Sequence, residues 1–252
     1  MSNTTLRLSG VHAKYALIET FRIPIAVIGT MVFPALALLF FVVPQEYVAQ
    51  NPLYATQAVI SMSVFAVMAN SLFAFGISIS EDREKPWDPY LRTLPVPGLS
   101  RVLGYVFSTG ALGLAAIVPV LLIGGLFTAA EADPWRVVAG FVALAISAIP
   151  FMMIGVAVGY GMPSKAAIAV VQVVMFGFAF AGGLFLPPEM FASWLDTLSR
   201  FFPSRQARDL VIWAVQGGSL EPATWLGIIA WIIVTGVLAL LLYRRDEGRR
   251  FH

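Results

Sequence analysis

Between residues 80 and 101 the chain gathers Glu81, Asp82, Glu84 and Asp88 with Arg83, Lys85, Arg92 and Arg101. Carboxylates at this density are the groups that general acid–base catalysis or cation binding requires. Here, though, the four acids alternate with four cations, and Pro86, Pro89, Pro95 and Pro97 punctuate the backbone. Mixed charges in such a loop pair with one another and with water, which suits a docking surface better than a proton-transfer site. The remaining chemistry is sparse. There is no cysteine, and the two histidines, His12 and His252, lie near opposite ends of the sequence. No G-x-x-x-x-G-K-[ST], H-E-x-x-H or G-x-S-x-G motif occurs, so a P-loop, a zincin site and a nucleophile elbow are all absent. The expectation is a chain with no catalytic residue, metal site or bound cofactor of its own.

The elements around this loop are strongly apolar. Of the 252 residues, 59% are hydrophobic and only 12% charged, against about 25% charged in soluble domains. The charges cluster, leaving windows long enough to cross a hydrocarbon core of about 30 Å. The pattern predicts an all-α polytopic membrane protein forming a single transmembrane domain over 1–252. Its six spans are Ile23–Val43, Leu53–Ile79, Val102–Thr128, Val137–Tyr160, Ala166–Phe185 and Thr224–Tyr243. Prolines 24, 34, 119 and 150 are tolerable inside such helices and can kink them. The first run starts after Arg22 and lacks an A-x-A-like cleavage site, so it reads as a retained span. With the N-terminus inside, twelve Lys and Arg fall on inner segments and four (Arg136, Arg200, Arg205 and Arg208) on outer ones. That asymmetry places both termini and the loop at 80–101 in the cytoplasm. The basic balance therefore reports topology, not nucleic-acid binding.

The six predicted spans hold no Asp, Glu, Lys, Arg or His. Proton-coupled transporters rely on such groups as relays, so uphill transport by this chain would need energy from a partner. The polar residues that do occur are mild: Gln57, Ser61, Ser63, Asn70, Ser71, Ser147, Gln172 and Thr235. Interhelical hydrogen bonding is their ordinary role, with Asn70 and Gln172 the best candidates for substrate contact. Gly155 and Gly159 form a small-x-x-x-small match that permits close helix approach without specifying a partner.

Two flanking segments are amphipathic. In Glu189–Phe202, Met190, Phe191, Trp194, Leu195, Leu198, Phe201 and Phe202 collect on one side of a helical projection and the polar residues on the other. The segment reads as one interfacial helix ended by Pro203, followed by a second over Gln206–Gln216 closed by Gly217-Gly218. Trp194, Phe201 and Phe202 are the candidates for an external gate; passive capping of the bundle is the alternative. Residues 1–22 show a weaker pattern, with Val11, Tyr15, Leu17, Ile18 and Phe21 on one side, and suggest a helix along the inner membrane surface.

Two motif regions in these positions resemble the ABC-2 type transporter permeases. One runs Ser80-Glu81-Asp82-Arg83-Glu84-Lys85, then Tyr90-Leu91-Arg92-Thr93-Leu94-Pro95. The other is Ala181-Gly-Gly-Leu-Phe-Leu-Pro187, followed by Trp194-Leu195, Leu198 to Pro203, and Ala207-Arg208-Asp209-Leu210. Where many members carry Gly-Thr after the charged run, this chain reads Pro86-Trp87-Asp88-Pro89. The resemblance implies the membrane subunit of an exporter in a bacterial inner or plasma membrane. Two such permeases, identical or related, would pair with two ATP-binding subunits that hold ATP and magnesium. Glu81, Asp82, Arg83, Glu84, Lys85, Tyr90, Leu91, Arg92, Leu94 and Pro95 would then form the coupling surface for the ATPase. A pathway this apolar suits an amphipathic drug, antibiotic or lipid. The rival readings are an ATP-independent channel or secondary transporter, and a membrane scaffold.

Overall fold

A computed structural model describes residues 32–86 and 109–249, together with Tyr15 and Ile18. The amphipathic N-terminal stretch, the first nine residues of the first predicted span, and residues 87–108 lie outside the described part. So do Tyr90, Leu91, Arg92, Leu94 and Pro95.

The described residues form helices and no strands. In chain order these are α1 (Val32–Val42), α2 (Glu46–Ala49), α3 (Pro52–Glu84), α4 (Thr109–Phe127), α5 (Pro134–Gly161), α6 (Ser164–Ala181), α7 (Ser193–Ser199), α8 (Pro203–Gln216) and α9 (Pro222–Arg249). Five of them, α3, α4, α5, α6 and α9, are long and apolar enough to cross a membrane. The protein is a multi-pass, all-α membrane protein.

α3 begins where the sequence supplies a complete start signal. Asn51 accepts hydrogen bonds from the Leu53 and Tyr54 amides at 3.0 and 3.4 Å, and Pro52 occupies the first helical turn. The cap satisfies donors that the helix itself leaves unpaired, and proline costs nothing at that position. No proline follows, and the helix runs through Glu84. It therefore takes up the first residues of the charged run, which the sequence alone assigns to a loop. Phe65, Met68 and Leu72 of α3 are almost wholly buried against Phe151 of α5 and Val171 of α6. α3 is thus the central post, with α5 and α6 beside it.

Close contact between α3 and α5 depends on glycine. A Cβ on Gly155 would lie 2.8 Å from Phe75 Cβ and 3.0 Å from the Ser71 carbonyl. One on Gly159 would lie 2.8 Å from the Phe75 carbonyl. The small-residue pair found in the sequence therefore belongs to the α3–α5 contact.

Several boundaries differ from the hydropathy reading, each for a local reason. α1 ends in a π-turn over Leu38–Val42, with the Val43 amide donating to the Leu38 carbonyl at 3.1 Å. α4 is interrupted at Ala116–Ile117 just before Pro119, as expected where an intrahelical donor is missing. α6 stops at Ala181, four residues before the predicted Phe185. Gly182 and Gly183 end it, Gly183 with φ +76°, and a side chain at Gly182 would overlap Ser204 of α8. α9 continues six residues past Tyr243 through charged sequence to Arg249.

The outer segment corrects a larger expectation. Glu189–Phe202 is not one helix: a 3-10 turn spans Pro188–Met190, Phe191 and Ala192 are extended, and α7 covers only Ser193–Ser199. Pro203 does not terminate a helix but opens α8. α8 then packs among α3, α5, α6 and α9 instead of lying on their ends, and Gly217 and Gly218 close it with φ of +82° and +92°.

Candidate functional site

At the end of the bundle carrying the charged run, Arg83 and Glu84 bond to neighbouring helix ends while Glu81 and Asp82 face outward. Arg83 turns inward. Its Nη1 donates to the Gly159 and Met162 carbonyls at 2.7 and 3.2 Å, capping the C-terminal turn of α5. Its Nε and Nη2 donate to Asp246 Oδ1 at 3.1 and 2.5 Å, and the guanidinium stands 5.8 Å from the Tyr160 ring centre. Glu84 accepts from the Ser164 amide and hydroxyl at 2.8 and 2.7 Å, placing a carboxylate at the N-terminus of α6. That position favours negative charge because the helix leaves its first amides unpaired. Arg83 and Glu84 thus tie three helix ends, those of α5, α6 and α9, to the end of α3.

The outward pair is Glu81 and Asp82. Glu81 and Asp82 are exposed, and Lys85 Nζ lies 2.6 Å from Asp82 Oδ1. The carboxylates do not converge on one point, and no group of three metal-ligating side chains occurs among the described residues. The arrangement can hold a surface in place but offers no acid–base pair.

The Arg83–Asp246 bond should be measurable. Asp246 is only 6% exposed, and charge-assisted hydrogen bonds contribute about 1.5–3 kcal/mol. We expect Arg83→Met to lower stability by about 2–3 kcal/mol. Combined with Asp246→Asn, the double variant should lose less than the sum of the single losses. Strict additivity in a chemical-unfolding cycle would show that the two side chains do not interact.

At the opposite end α8 brings charge into the bundle. Arg208 is 4% exposed; its Nε donates to Ser61 Oγ at 3.0 Å and its Nη2 to Gln57 Oε1 at 3.2 Å. Gln57 Nε2 reaches Gln216 Oε1 at 3.4 Å, and Gln216 Nε2 donates to the Leu53 carbonyl at 3.1 Å. Asp209 is 3.6 Å from Arg208 and accepts from Arg205 at 2.9 Å. Arg205 also contacts Asp196 and Ser199 of α7. Arg200 pairs with Asp196 at 3.0 Å, a hydrogen bond that raises the guanidinium's proton affinity further above its ordinary value. α7 and α8 are therefore joined to α3 by a continuous polar network.

The candidate residues fall into different places. Asn70 is buried and donates to the Thr109 carbonyl at 3.0 Å, linking α3 to α4. Gln172 is exposed on α6, on a face that also presents Val173, Phe176 and Phe180. The two are not brought together. Trp194 and Phe201 are exposed, whereas Phe202 packs on Phe178 with ring centres 5.7 Å apart. Arg208 was not among the sequence candidates. The available signal was the pair Gln57 and Ser61, polar side chains at i and i+4 on an otherwise apolar helix.

Comparison with known proteins agrees with this architecture. The family model described as "ABC-2 type transporter" matches residues 10–215. The chain is also similar to the Bacillus subtilis (strain 168) protein named "Putative transport permease YvfS", with 22% identity over 223 residues, covering 88% of this chain and 91% of that protein. The match includes the charged run, the central helices and α8, and with it the chain belongs to the ABC-2 type transporter family.

Proposed function

We propose that this chain is the membrane subunit of an ATP-driven exporter in a bacterial inner membrane. Two permease chains, the same or related, work with two separate ATP-binding subunits. In this reading six spans place both termini in the cytoplasm, and residues 81–101 meet the ATP-binding subunit. Alternating access follows from closure of the ATP-binding pair around ATP and magnesium, and the cargo is an amphipathic drug, antibiotic or lipid.

The observation that carries the reading is the division of labour at the root of the charged run. Arg83 and Glu84 are fixed to neighbouring helix ends by hydrogen bonds, while Glu81 and Asp82 stand exposed. This is what a force-transmitting contact requires: a root held by several helix ends and a polar surface ahead of it. Tyr90, Leu91, Arg92, Leu94 and Pro95 continue that surface in the proposal. A second support is α6, where Gln172 lies on an exposed apolar face. An amide is costly against lipid and fits better beside a second permease or a transport pathway. Trp194 and Phe201 are proposed to act at the outer exit.

The test is reconstitution in vesicles with and without the ATP-binding subunit. Transport is expected only with the subunit and ATP; transport by this chain alone would instead support the channel or secondary-transporter reading. Within the complex, Glu81→Lys with Arg92→Glu is expected to reduce co-purification of the ATP-binding subunit at least about tenfold, the scale of losing two interfacial charge pairs. Full retention and normal cargo-stimulated ATP hydrolysis would remove the coupling role and favour the scaffold reading.

A further inference from the structure

A second site lies within one chain, away from the charged run. α3, α4, α5 and α8 border a half-open apolar cavity of about 180 Å³ lined chiefly by Val59, Ile60, Ile117, Leu121, Phe141 and Leu144. Its two hydroxyls are already satisfied. Thr56 Oγ1 both donates to the Glu131 carbonyl and accepts from the Glu131 amide at 3.1 Å, and Ser63 donates to the Val59 carbonyl at 2.8 Å. An enclosed apolar cavity of about 150 Å³ takes up benzene, so a space of this volume is large enough for one aromatic ring or a short alkyl group.

The cavity adjoins a polar vestibule of about 600 Å³, and Thr56, Glu131, Ala132 and Val215 line both. Three charged side chains border the vestibule: Glu131, Asp133 and Arg136. Arg136 lies 3.9 Å from Asp133 and is packed over Gly217, whose positive φ and missing side chain leave it room. Glu131 has no ion-pair partner among the described residues. The mouth therefore presents, beside the apolar space, one carboxylate with no ion-pair partner among the described residues.

We propose that the cavity and vestibule together bind a small organic cation, with its ring or alkyl group between α3, α4, α5 and α8 and its ammonium group at Glu131. The cation–carboxylate contact sets the preference for charge, and the cavity volume sets the size limit. The site is complete within one chain, so it does not depend on the transport reading.

The test uses the purified full chain in lipid nanodiscs, titrated calorimetrically with benzylammonium, benzyl alcohol and benzoate against protein-free nanodiscs. Benzylammonium is expected to bind saturably and at least about tenfold more tightly than benzoate. Glu131→Gln should weaken benzylammonium about fivefold and leave benzyl alcohol unchanged. Gly125→Leu fills the cavity; a Cβ at Gly125 meets no atom within 4 Å, so the fold has room for the change. It should weaken all bound probes at least about tenfold. Absence of saturable benzylammonium binding to the wild-type chain overturns the proposal. So does equal binding of benzoate, or binding unaffected by Gly125→Leu in a variant that elutes as a folded monodisperse species.

Discussion

Replacing Arg208 with alanine should lower the stability of the purified chain by about 3 kcal/mol, a shift of about 6–12 °C in melting temperature for a protein of this size. The loss has three parts. Gln57 Oε1 and Ser61 Oγ lose a charged donor, Asp209 loses one of its two neighbouring guanidiniums, and the volume of a buried side chain is vacated. Asp209 keeps Arg205, so the result is not the full cost of an isolated buried charge. Arg208→Lys should recover only part of the loss, because one ammonium group cannot reproduce the planar fork that reaches Ser61 and Gln57 together. Gln57→Ala should weaken the same network less, since Ser61 still accepts from Arg208. An Arg208→Ala chain that melts with the wild type in nanodiscs would show that α8 is held by apolar packing alone.

The second large effect concerns α3 and α5. Gly155→Leu should destabilise the chain by about 3 kcal/mol or more and reduce the folded, membrane-inserted fraction. Even the first carbon of the new side chain would press on the Ser71 carbonyl and the Phe75 Cβ, and main-chain atoms cannot move aside as a flexible side chain can. Gly159→Ala should already be harmful, because its Cβ would meet the Phe75 carbonyl at 2.8 Å. Gly236→Leu on α9 serves as the control. A Cβ there meets nothing within 4 Å, and the expected change is within about 0.5 kcal/mol. Equal yields of folded protein for Gly155→Leu and Gly236→Leu would contradict the close packing described here.

These two cases mark where the amino-acid sequence speaks and where it falls silent. Long apolar runs are visible because lipid requires them, so α3, α4, α5, α6 and α9 were all expected. The glycine pair was equally visible as a place of close approach. Its partner was not, because helix periodicity identifies a face and not what covers it. Hydropathy also misplaced the end of α6: Leu184, Phe185 and Leu186 are as apolar as the helix before them, and only the backbone freedom of Gly183 shows that the helix has stopped. Arg208 was the larger loss. A charged residue in a segment between spans reads as water-facing, yet α8 folds back into the bundle and finds Ser61, 147 positions earlier. Arg83 and Asp246, 163 positions apart, were hidden for the same reason. Local pattern has no access to contacts of that sequence separation.

α3 is an unbroken helix about 50 Å long at 1.5 Å per residue, capped at one end by Asn51 and held at the other by the bonds of Arg83 and Glu84. Arg208 grips it at Ser61, about 33 Å along the axis from Arg83. With no proline beyond its first turn to act as a joint, the helix transmits displacement as a stiff lever does. In the proposed coupling, a push on residues 81–85 would therefore be carried along α3 to its Gln57–Ser61 end, where α8 is bonded. The close contact at Gly155 and Gly159, together with the Arg83 bonds, joins α5 to that same rod, so the two helices would move as one body.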